Sequence, residues 1–126
     1  SEPDKKQLLE NLLHPLIYAE IASQITQFDT AYCILCIPLL IETLEISSLR
    51  LDRILVIDCP VALQIARVKT RSQLSDTQIQ AIIAAQASRA ERLAVADDII
   101  DNSKSATHLA EQVKKLHNSY LLLSSA

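Results

Sequence analysis

The residues with most to offer chemically are five cations between positions 67 and 92: Arg67, Lys69, Arg71, Arg89 and Arg92. Arg67 and Arg71 stand four apart and Arg89 and Arg92 three apart, so on helices each pair shares a face. Two such faces turned towards each other would form a guanidinium clamp, whose planar forks suit phosphate oxygens. The same spacing describes solvated helix arginines paired with Asp76 or Glu91, and spacing alone leaves both readings open. His14 could act as a general base or a substrate donor, or simply pack at a helix joint. Asp58 ends an aliphatic run, where a carboxylate either does chemistry or bonds the amides of the next turn. Asp97 and Asp98 are adjacent and cannot face the same way in a strand, so a turn is expected there instead of a catalytic carboxylate pair. Cys33 and Cys36 form a CxxC, but in a strand the i and i+3 side chains point to opposite faces. They are expected to be small buried hydrophobes, with no metal or redox role.

Composition narrows the chemistry further. The 126 residues include no glycine, against an average usage near 7 %, so the chain holds no Gly-rich phosphate loop, dinucleotide fingerprint or nucleophile elbow. Hydrophobic residues at 49 % and charged residues at 21 % describe a chain that folds. A net charge of -3 argues against a nucleic-acid partner, so any anion site must be local. No run is apolar enough for a membrane span and the acidic start is unlike a signal peptide, which gives a cytoplasmic expectation with no membrane partner. Three cysteines, Cys33, Cys36 and Cys59, do not suggest a disulfide framework.

These groups must be positioned by an alternation of helices and strands. Apolar residues at Leu8, Leu9, Leu12, Leu13, Leu16, Ile17, Ile21 and Ile25 predict a helix over 5–28, ending near Leu13 and restarting with Pro15 in a first turn. A strand is predicted over 32–37, closed by Pro38-Leu39-Leu40-Ile41-Glu42, with an irregular or helical stretch to about residue 51. The aliphatic run 53–58 reads as a strand covered on both faces. Helix follows over 61–71, and Ser75-Asp76-Thr77-Gln78 is a capping box opening a helix that carries Ile79, Ile82 and Ile83. Residues 89–93 continue it or form a short turn; residues 98–102 read as a strand ending at Asn102, and a final helix starts near residue 106. This is an α/β order with parallel connections, the class that binds ligands beyond the carboxyl ends of its strands.

Four stretches taken together are specific. Leu12-Leu13-His14-Pro15-Leu16-Ile17, Ile37-Pro38-Leu39-Leu40-Ile41-Glu42, Asp52-Arg53-Ile54-Leu55-Val56-Ile57-Asp58, and Gln86-Ala87-Ser88-Arg89-Ala90-Glu91-Arg92-Leu93 with Ala96-Asp97-Asp98-Ile99-Ile100-Asp101-Asn102 resemble the bacterial dephospho-coenzyme A kinases. The resemblance runs from Pro3 to the end and covers the C-terminal three-fifths or so of that family's pattern. It implies a P-loop kinase fold, a parallel sheet with helices on both faces and a helical lid over about 61–95, here without the first strands, the Walker A loop and the catalytic Asp that follows it. It also implies phosphoryl transfer from ATP, with Mg²⁺, to the ribose 3′-hydroxyl of dephospho-coenzyme A. On that pattern Arg67 and Arg92 are the catalytic arginines of the lid, and Arg67, Arg71, Arg89 and Asn102 lie on the ATP side. His14, Pro38, Leu39 and Leu40 lie on the substrate side. Where the family has a glycine at or after the last strand's turn, this sequence has Ser103 and Lys104.

The resemblance implies that the 126 residues alone are inactive, being a piece of the enzyme. The other reading is a non-catalytic helical interaction module, which a start codon near Ser1 would favour and an upstream Gly-rich loop would exclude. The family's strand order would place a missing strand between 32–37 and 53–58, so the chain is expected to self-associate, to pair those two strands directly, or to accompany an unseen partner segment.

Overall fold

The computed structural model describes residues 2–43 and 50–125, and its elements alternate as an α/β chain should. The first helix, α1 (Glu2–Ile25), runs without interruption through Pro15, where the sequence predicted a break. Proline removes one helical hydrogen bond and crowds the carbonyl four residues back; the remaining turns of this 24-residue helix outweigh that loss. Tyr18 is buried, but Leu8, Leu12 and Leu16 are 63 %, 62 % and 68 % exposed.

Residues 32–37 depart from the strand expected of them and make no ladder. Strand-forming side chains suit a pleated surface, yet a strand persists only when its backbone groups find a partner, and among the described residues the only ladder joins two other segments. Cys33 and Cys36 are accordingly exposed free thiols instead of the buried hydrophobes expected. A short helix, α2 (Leu40–Thr43), opens the stretch that follows Pro38; residues 44–49 of that stretch lie outside the described residues.

The sheet consists of β1 (Leu55–Asp58) and β2 (Asp98–Asp101), parallel, with Val56 opposite Ile99 and Ile57 opposite Ile100. Parallel pairing demands a long crossover, supplied by α3 (Val61–Ser72), α4 (Asp76–Ala84) and α5 (Arg89–Val95). The last helix, α6 (Ala106–Ser124), returns along β2. The architecture is the α/β sheet with flanking helices that the sequence predicted, reduced to two of the three expected strands.

Capping chemistry sets the helix boundaries. The predicted box forms: Ser75 Oγ accepts the Gln78 amide at 3.2 Å and Gln78 Oε1 accepts the Ser75 amide at 2.9 Å. Ser88 and Ser105 cap α5 and α6 in the same way through Glu91 and His108, so residues from 89 onward form a separate helix. The C-terminus of α3 shows what the absence of glycine costs. Gln73 takes the left-handed conformation there, at φ 53°, so that its amide can reach Lys69 O at 3.0 Å. A side chain with a Cβ is strained in that region by about 1–2 kcal/mol.

The core is small. Val56 and Ile100 from the strands, Ile79 from α4 and Ala87 from the α4–α5 joint are its buried members besides Tyr18. Ile57 and Ile99, on opposite faces of the sheet, are 61 % and 51 % exposed, so neither face is fully covered. At the amino end of the strands, Asp97 occupies the bend expected of it and accepts the Ile54 amide at 2.7 Å. Asp98 does not belong to the turn: it is the first residue of β2 and accepts a fork from Arg53, because the parallel register sets the start of β1 beside it.

Candidate functional site

The carboxyl ends of β1 and β2 are tied together past the ladder, since the Asn102 amide donates to Asp58 O at 2.7 Å. Two arginines converge on this edge from the crossover. Arg67, in the middle of α3, donates through Nη1 to the Asn102 carbonyl. Arg89, in the first turn of α5, forks onto Asp58, with Nε 3.0 Å from Oδ1 and Nη2 2.8 Å from Oδ2. The hydrogen bond to Asp58 is the chief reason the Arg89 pKa is raised further above the usual arginine value. Asp101 is held below the usual carboxylate range by the Ser103 hydroxyl and amide, the amide donating at 3.0 Å. Gln112 of α6 locks β2 from the other side, accepting the Asp101 amide at 2.9 Å and donating to its carbonyl at 2.8 Å.

Among the described residues, one recess lies on α3, the helix that carries Arg67, and another along β1. Ala66, Arg67, Thr70 and Arg71 line the first, a shallow one of about 360 Å³ on the surface of α3. A second, of about 180 Å³, lies between α2, the length of β1 and the α4–α5 joint, lined among others by Pro38, Leu40, Glu42, Val56, Gln86 and Arg92. Arg92 Nη1 donates to the Ala87 carbonyl at 2.7 Å. The two arginine pairs read from the sequence therefore divide: Arg67 and Arg71 face one recess, Arg92 faces the other, and Arg89 is engaged by Asp58. Asp76, considered as an arginine partner, instead meets Lys69 at 3.1 Å.

The turn 38–40 reaches the second recess through Pro38 and Leu40, while Leu39 is 44 % exposed. His14 lines neither recess. It lies on α1 with its ring 5.9 Å from that of Tyr18, and its Nδ1 is buried without a hydrogen-bond partner.

The described residues thus bring the guanidinium groups of Arg67 and Arg89 to the carboxyl edge of a parallel sheet. The first 108 residues of the chain match the family model described as dephospho-CoA kinase. The chain belongs to the dephospho-CoA kinase family. The dephospho-CoA kinases of Coxiella burnetii and Aromatoleum aromaticum are each 49 % identical to it, over 97 % and 100 % of its length. That of Methylococcus capsulatus is 45 % identical over 100 % of the chain. The chain spans 61 % of the length of the first two relatives and 63 % of the third.

The open guanidinium surface of Arg67 and Arg71 fits phosphate oxygens. Among the described residues no three His, Cys, Asp or Glu side chains are grouped to hold a metal ion. No helix among them is long and apolar enough to cross a membrane. Two contacts of the candidate site went unread in the sequence, that of the Glu42 side chain with Ala87 and that of Asp58 with Arg89. Both join residues far apart along the chain, 45 and 31 positions away, where no local periodicity can reveal them.

Proposed function

We propose that this chain serves in the transfer of the γ-phosphoryl group of ATP to the ribose 3′-hydroxyl of dephospho-coenzyme A. One observation carries the reading beyond family membership: Arg67 of the crossover is anchored on Asn102 at the carboxyl edge of β2, while Arg92 lines the recess that the 38–40 turn enters. Phosphoryl transfer depends mainly on positioning and charge neutralisation. Two guanidinium groups, one at the carboxyl edge and one in the recess along β1, would supply both.

In this reading the crossover helices α3, α4 and α5, within the span 61–95, act as the lid. Arg67 and Arg92 meet the charge on the transferring group, and Arg71, Arg89 and Asn102 lie on the ATP side. Arg89 contributes by holding α5 against Asp58. Pro38, Leu39 and Leu40 contact the acceptor; His14, outside both recesses with its Nδ1 buried, is assigned to the acceptor side by the family pattern alone. When bound, Mg²⁺ would screen the phosphate oxygens; no step is assigned to residues of this chain through it.

A polypeptide of these 126 residues is expected to show no turnover with ATP, Mg²⁺ and dephospho-coenzyme A, because it has no glycine loop to cradle the β-phosphate. Product formation above background, followed by chromatography of coenzyme A, would refute that assignment of roles. The exposed Leu8, Leu12, Leu16, Ile57 and Ile99 favour a further property, association of the chain with itself through these apolar surfaces.

A further inference from the structure

Ala87 has both of its backbone polar groups, on the two peptide units that flank its Cα, held by charged side chains. Its amide donates to Glu42 Oε1, and the carbonyl of the same residue accepts from Arg92 Nη1 at 2.7 Å. Ala87 is itself buried, at 8 % exposed, in the joint between α4 and α5. Glu42 and Arg92 come from elements that pack on each other, α2 and α5, and both line the recess of about 180 Å³ entered by Pro38 and Leu40. Hydrogen bonds with one ionised partner are about twice as strong as neutral ones, so this joint is fastened more firmly than its single turn of backbone would manage.

We infer that Glu42 is a positioning residue for Arg92. Its carboxylate holds the Ala87 amide and so the backbone at this residue; the Ala87 carbonyl, on the next peptide unit, in turn sets the direction of the Arg92 guanidinium, which uses one of its five N–H donors there and keeps the rest for the recess. The turn that would receive the acceptor and the arginine that would meet its phosphates then move as one piece. The inference rests on the proposed function in one respect, that the recess takes dephospho-coenzyme A.

The test is binding of dephospho-coenzyme A to the full chain by calorimetry, for the unsubstituted protein, Glu42→Ala, Glu42→Gln, Arg92→Ala and the Glu42→Ala/Arg92→Ala double variant, with Ala87 amide exchange followed by NMR. Glu42→Ala should weaken binding on the order of tenfold and Glu42→Gln, which keeps an acceptor oxygen, should restore most of it. The double variant should bind no more weakly than Arg92→Ala alone, and Ala87 exchange should quicken in Glu42→Ala but not in Glu42→Gln. Additive losses, or Ala87 exchange unchanged by Glu42→Ala, would overturn the inference. Weakening by Arg92→Ala with none by Glu42→Ala defeats the positioning role alone. No binding by the unsubstituted chain, or binding indifferent to Arg92, defeats the functional reading and this inference with it.

Discussion

Arg53 and Asp98, 45 positions apart, form a two-pronged ion pair at the amino end of the sheet, with Nε 2.8 Å from Oδ2 and Nη2 3.0 Å from Oδ1. The Tyr120 hydroxyl donates to the same Oδ2 at 2.8 Å, so one carboxylate joins β1, β2 and α6. The Arg53 hydrogen bond is the main cause holding Asp98 below the usual aspartate range, with Tyr120 adding to it. A carboxylate whose folded pKa is depressed stabilises the fold above its unfolded value and loses that contribution as the pH falls through the folded one. Asp98→Asn should therefore flatten the acid limb of a stability-against-pH curve below about pH 4, measured by urea unfolding at a series of pH values. An acid limb identical to that of the unsubstituted chain would show the pair to be idle.

Tyr120 gives the matching effect at the alkaline end. Burial, followed by the hydrogen bond to Asp98, pushes its phenol up to about 12. A raised folded pKa means stability that is intact below the ordinary tyrosine value of about 10 and is lost as the pH rises through the folded value. Tyr120→Phe should lose about 1 kcal/mol at neutral pH and remove the alkaline slope between about 10 and 12. Ultraviolet titration of the phenolate band reports the raised pKa, and urea unfolding of Tyr120→Phe at neutral and alkaline pH reports the two stability effects.

Gln73 is expected to be replaceable with profit. In Gln73→Gly the left-handed strain at φ 53° is relieved, while the unfolded chain gains freedom. The balance should raise stability by about 0.5–1 kcal/mol, visible as a higher urea midpoint at unchanged slope. A lower midpoint would mean that the side chain makes an unrecognised contribution.

If the proposed function holds, Arg67→Ala in an active protein that contains this chain should lower turnover by about a hundredfold or more, the guanidinium meeting charge that develops during transfer. Lys104→Ala should do little. Equal and small losses from the two would return Arg67 to the part of a solvated helix arginine that happens to reach a carbonyl.

Light scattering addresses self-association. With Ile57 61 % and Ile99 51 % exposed, the chain should exceed its monomer mass at micromolar concentration, and Ile57→Thr with Ile99→Thr should shift it towards monomer. A strictly monomeric chain with both isoleucines in place would contradict the expectation.

The sequence determined by itself whatever depends on neighbours within a turn or two. Hydroxyl-capped helix starts at Ser75, the aliphatic run at Leu55 to Asp58, the arginine spacing on α3 and α5 and the family motifs are all local patterns, and each is present where it was read. Tertiary structure decided what depends on a partner far along the chain. Residues 32–37 have strand composition but no ladder, and α1 passes from Leu13 through Pro15 without the expected break, because both outcomes turn on how backbone groups are satisfied over the whole element. The same reason explains the division of the arginines. Helix spacing places Arg89 and Arg92 on one face, but only the packing of α5 against β1 gives Arg89 to Asp58 and leaves Arg92 at the recess beside Glu42.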